Sequence, residues 1–164
     1  MGLECLMQKE LGVAREFNLK SQMRLISWME FEAEQLQWAK KGADAVYEPS
    51  NYHKRNPEAW NLPRPIPPRP YASKCEDLLL LQRYPSPTRE LLEKIRILIA
   101  NAFEKGTFSA SIECGWPTCI WAVTEDGQIA EAHRGTRGSG KYHGYPSKLT
   151  NDFENEILKR WNAQ

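Results

Sequence analysis

The stretch ELLEKIRILIANAFEKGTFSASIEC, residues 90–114, decides the fold, because its apolar period changes midway. Leu91, Leu92, Ile95, Leu98, Ile99, Ala102 and Phe103 recur at helical spacing and trace one apolar stripe. Ser86 is the candidate cap, Pro87 suits the first helical position, and Gly106 stops the helix. Beyond Gly106, Phe108, Ala110, Ile112 and Cys114 alternate with Ser109, Ser111 and Glu113, the period of a half-buried strand. Further strands are expected over about 118–124 and 128–133, joined by the turn Glu125-Asp126-Gly127. The expected core is therefore a central amphipathic helix against a three-stranded antiparallel meander.

Working outward, Thr150 or Asn151 opens a terminal helix with Phe153, Ile157 and Trp161 on one face. Towards the amino terminus, residues 3–41 are charged and nearly free of breakers, which predicts one long helix or two with a bend near Asn18. Leu25, Trp28, Met29, Ala33 and Leu36 are its expected apolar face. Between these helices, nine of the eleven prolines fall from Pro49 to Pro87. Pro63 to Pro70 favours a polyproline II strut, and Trp60, Leu62, Ile66 and Tyr71 are suited to pin it to the surface. Arg64, Pro67 and Pro70 also have the spacing of SH3 ligands, a common pattern.

The expected organisation is one α+β domain over 1–164, helical over 1–41, an extended proline-rich arm over 42–85 and a helix-sheet-helix core over 86–164. A chain of 164 residues suits one ordinary domain. With 22 Lys and Arg against 21 Asp and Glu, the net charge of +1 excludes a global basic field, so electrostatics must act locally. No apolar run is long enough for a membrane span, and the opening residues lack the pattern of a secretory signal. A cytosolic setting is the expectation, with Cys5, Cys75, Cys114 and Cys119 as reduced thiols and no cofactor or metal.

The chemistry concentrates in residues 133–148, which hold four Lys or Arg, two of the three histidines and no acid. Arg134, Arg137, Lys141, Tyr142, His143, Tyr145 and Lys148 are the candidate binding residues, the cations for phosphate and the tyrosines for stacking on bases. Gly135-x4-Gly140-Lys141 misses the Ser or Thr and the subsequent helix of a phosphate-binding loop, which excludes an NTPase. Gly135-x-x-Gly138 leaves a strand rather than joining two helices, unlike the KH loop. Cys114 and Cys119 flank an expected hairpin loop, Gly115–Thr118, and could offer two thiols to zinc, but the downstream histidines are ten residues apart and wrongly spaced as the second ligand pair.

Three functions fit. The first is a non-enzymatic macromolecule-binding or regulatory protein with a protein or nucleic-acid partner, dimerising if the first helix self-associates. The second is a small metal-independent ribonuclease in which His133 at a strand end and His143 face one another across a glycine-rich loop expected over residues 135–147 and exchange protons, while Lys141 steadies the phosphate. Helices succeeded by a small antiparallel sheet are broadly similar to the layout of several bacterial ribonuclease toxins, although no specific motif matches. The third is an inhibitor or immunity-type protein acting through its Trp-rich, acidic helical surface.

Overall fold

The computed structural model describes residues 24–50, 57–64, 66, 87–135, 139–145 and 149–163, with Tyr145 through its backbone. The architecture is α+β, and no described helix is long and apolar enough to cross a membrane.

The central helix α3 (Arg89–Glu104) forms where its stripe predicts, and Leu91, Ile99, Ala102 and Phe103 are buried. Its cap is Thr88 rather than Ser86, because the Thr88 hydroxyl accepts the Leu91 amide at 3.1 Å. Gly106 ends the helix at φ 66°, where a Cβ would lie 2.8 Å from the Phe31 ring.

Two short helices precede it, α1 (Trp28–Ala33) and α2 (Gln35–Asp44). Ser27 caps α1 in a reciprocal box with Glu30. The expected continuous helical face fails for two reasons. Leu25 lies outside any helix and bridges to Ser109, and the buried positions across the break at Glu34 follow a different helical phase from the expected stripe. Phe31, Trp38 and Gly42 are the buried positions, whereas Trp28, Met29 and Leu36 are exposed. Gly42 lies within α2 instead of ending it. A Cβ there would stand 2.7 Å from that of Phe103, so the missing side chain permits close packing of α2 on α3.

The main sheet has the order β1 (Val46–Tyr47), β6 (Lys141–Tyr145), β5 (Ile129–Arg134), β4 (Cys119–Val123). β4 and β5 pair antiparallel from Val123↔Ile129 to Cys119↔His133, around the turn read from the sequence. β6 adds antiparallel to β5, and β1 adds parallel to β6. The expected meander is thus corrected at both ends. Residues 141–145, expected as loop, are a strand, and the 108–114 segment pairs with β4 only near Phe108 and Ser109. There the Trp121 amide donates to the Thr107 carbonyl and the Ser109 amide to that of Cys119. Ser109 Oγ then takes the Cys119 amide and turns the chain away. A separate hairpin comes next, β2 (Ile112–Glu113) with β3 (Trp116–Pro117). Its two-residue turn is Cys114-Gly115, both at positive φ as a type I′ turn requires, not the expected Gly115–Thr118 loop.

Within the proline-rich region Val46–Tyr47 joins the sheet and Pro57–Trp60 forms a 3₁₀ turn. Trp60 is buried edge-on to Tyr47, as a pinned arm requires, but Ile66 is 95% exposed and pins nothing. Tyr71, Pro67 and Pro70 lie outside the described residues, as does the bend expected at Asn18.

The two faces of the sheet are covered differently. On one, Ile120, Ala122 and Tyr142 pack with Phe103, Phe108, Trp38 and Phe31 beneath α2 and α3. On the other, Thr150 caps the terminal helix α4 (Asn151–Asn162), whose Phe153 and Ile157 meet Trp121, Cys119 and Leu25.

Candidate functional site

The α4 side of the sheet is closed over β4 and only partly closed over β5 and β6. Strand alternation fixes what lies there: Cys119 and Trp121 from β4, Glu131 and His133 from β5, Lys141 and His143 from β6. Register then sets these residues in rows. Cys119, His133 and His143 are directly opposed across three neighbouring strands. The two histidines expected to face one another across a loop therefore do so across a strand pair. Opposed residues in such pairs have Cα atoms about 4.5–5.5 Å apart, within reach of imidazole chemistry.

Glu131 organises the row. Its side chain is nearly inaccessible, and both carboxylate oxygens are engaged. Trp121 Nε1 donates to Oε2 at 2.9 Å, and His133 Nε2 lies 2.5 Å from Oε1. A buried carboxylate with one neutral donor and one imidazole is best satisfied when that imidazole carries a proton. Burial alone would lower the His133 pKa, but contacts with Cys119 and Glu131 outweigh it and push the pKa up to about 9. The His133 side chain is 27% exposed, so this held charge remains in touch with solvent.

Other candidates from the basic stretch separate. Lys141 lies on the histidine face, with its ammonium 3.1 Å from Glu48 Oε2 and half exposed. Arg134 points to the opposite face, where its guanidinium bonds the Glu113 carboxylate at 2.5 Å and the Glu113 carbonyl at 2.9 Å. Tyr142 is fully buried, its hydroxyl donating to the Pro117 carbonyl at 2.7 Å, so it is core and offers no ring to a base. Tyr145 continues the row of Glu131 by its backbone pairing, while Arg137 and Lys148 lie outside the described residues. The expectation of reduced thiols is corrected at Cys114, which is disulfide-bonded, whereas Cys119 is a free, buried thiol. They are not a pair of thiol ligands, and among the described residues no three acidic, histidine or cysteine side chains are grouped to hold a metal ion.

Sequence reasoning missed Glu131 and Trp121. Their signal was present as polar and aromatic residues at alternating positions of paired strands, but only the register shows that they meet. Comparison with family models, curated proteins and solved structures finds no match.

Proposed function

We propose that the protein is a metal-independent ribonuclease acting through His133 and His143. The observation that carries this reading is their opposition on β5 and β6 at a half-open sheet face, with a buried carboxylate bound to one of them. Metal-free RNA cleavage needs a base, an acid and a cation near the phosphate. One imidazole takes the proton of the 2′-hydroxyl as its oxygen attacks phosphorus. The bond from phosphorus to the 5′-oxygen breaks, and the other imidazole gives that oxygen a proton. The products are a 2′,3′-cyclic phosphate and a 5′-hydroxyl, with no cosubstrate consumed. Lys141 supplies a cation on the same face, exchanging Glu48 for the phosphate when RNA binds.

End-labelled single-stranded RNA incubated with the protein and a chelator tests this. Short products with cyclic phosphate ends are expected, and they should vanish with 2′-deoxy RNA and in His143→Ala. Intact RNA after incubation with the unaltered protein would sink the reading.

The second reading is a non-enzymatic binding protein, of the inhibitor kind, working through α1 and α2. It is favoured by Met29 and Leu36, 79% and 81% exposed beside Trp28 and the exposed acids Glu30, Glu32 and Glu34. Under it, Met29→Ser with Leu36→Ser would weaken partner capture and His143→Ala would not.

A further inference from the structure

No sequence pattern singles out Glu48, yet the sheet carries it onto the histidine face. Val46 of β1 pairs with Lys141 of β6. The Val46 amide donates to the Gly140 carbonyl and the Glu48 amide to that of Tyr142, each at 2.8 Å, so the parallel register runs one step past β1 and sets Glu48 level with His143. Alternation turns its side chain to the face of Val46 and Lys141, and the carboxylate lies 3.1 Å from the Lys141 ammonium. We infer that Glu48 is a specificity-determining residue of this face. It occupies the place of an incoming anion on Lys141 and biases the site toward the singly charged phosphodiester of a chain interior over the doubly charged phosphate of a chain end. Phosphate as the ligand rests on the ribonuclease reading, whereas the occupied cation is a property of the free protein.

The two acids of the face are held on different terms. Glu131 is buried, with its oxygens taken by Trp121 and His133, so it is fixed in the wall. Glu48 and Lys141 keep about half of each side chain in water, at 50% and 51% exposure. An ion pair this exposed is weak, because water and salt screen it, so an anion displaces the carboxylate at small cost. The displaced carboxylate stays tethered to the edge of the sheet beside the bound group and repels it. That repulsion grows in proportion to the charge on the ligand. A phosphodiester carries one negative charge, whereas a terminal phosphomonoester carries nearly two at neutral pH and above. Lys141 attracts the second anion more strongly, and Glu48 opposes it more strongly. The neighbours of Lys141 in its own row are Val46 and Gly135, so that row holds no second cation to receive the extra charge.

Thymidine 3′-monophosphate and its methyl ester are the probes, since they differ by one methyl group and one charge and lack the 2′-hydroxyl that cleavage would need. Each is titrated at about pH 8, where the monoester is close to doubly charged, and at low salt. The backbone amides of Lys141 and His143 report binding by NMR. In Glu48→Gln both anions should bind more tightly, the ester by about twofold and the monophosphate by about fourfold, the square that a doubled charge implies. Glu32→Gln on α1 changes the net charge equally but away from this face, and it should alter neither affinity. Lys141→Met should weaken both anions. A ratio of the two affinities unchanged by Glu48→Gln, or weaker binding of either anion in that variant, would overturn the inference. So would an absence of shifts with both anions in both proteins. If the anions behave as expected and RNA stays intact, the ribonuclease reading falls and the role of Glu48 in anion binding stands. If RNA is cut and the ratio stays fixed, the inference alone falls.

Discussion

The two faces of one sheet are built on opposite terms. On the α3 side, Phe103, Phe108, Trp38 and Phe31 form a tight aromatic cluster, with Phe103 and Phe108 rings 5.5 Å apart and Trp38 and Phe108 4.8 Å apart. On the α4 side, a comparable apolar contact between Trp121 and Phe153 stops at β4 and gives way to a buried acid, a cationic histidine and a second histidine. Packing explains the first face completely: it removes apolar surface from water. It does not explain the second, where apolar side chains would have filled the same space without the cost of burying a charge. The difference teaches where to look for function: at the half-face whose composition stability alone would not select.

Breaking the apolar face should have the largest effect on folding. Phe103→Ala removes a fully buried ring from the centre of that cluster and should cost about 3–5 kcal/mol by urea denaturation. On the polar face, His143→Ala should cost under about 1 kcal/mol while removing the proposed cleavage, which separates a side chain kept for stability from one kept for chemistry.

The next effect depends on pH. Because the folded pKa of His133 is raised to about 9 above its ordinary 6.5, its contribution to stability is complete below about pH 6.5 and is lost as pH rises through 9. Unfolding free energy should therefore fall by on the order of 1–3 kcal/mol between pH 6 and pH 10. His133→Gln should flatten that dependence, and an equal slope in the variant would show that the charge lies elsewhere.

Smaller again is the loss of a cap. Thr88→Ala removes the acceptor for the Leu91 amide at the start of α3 and should cost about 1 kcal/mol by thermal or urea unfolding. Smallest of all, Met29→Ser and Leu36→Ser should each change stability by less than about 0.5 kcal/mol, since both side chains already lie in water. A larger cost at either position would place them in a contact that matters to the fold.

The elements legible in the sequence are those determined locally. α3, the turn at Glu125–Gly127, β4, β5 and α4 were legible because their periodicity and their caps or turns are local. β6 was not. Its buried Tyr142 is flanked by Lys141, His143 and Gly144, which break the apolar alternation that signals a strand, and its place depends on pairing with β5. β1 has two residues and depends on a parallel partner nearly a hundred positions later. In the first helices, Leu25 had helical spacing but was drawn to Ser109 by a backbone bridge. The site shows the same division. His133 and His143 were singled out by residue type, while their alignment, the role of Glu131 and the divergence of Arg134 to the other face came only from strand register.

If the β5–β6 half-face is where the protein works, RNA should bind there. The most direct test is a backbone-amide NMR titration with single-stranded RNA carrying 2′-deoxy sugars throughout the region of contact, so that binding is seen without cleavage. Shifts concentrated at Glu131, His133, Lys141 and His143 are predicted. Saturating shifts confined to α1 and α2, or none at millimolar RNA, would contradict it.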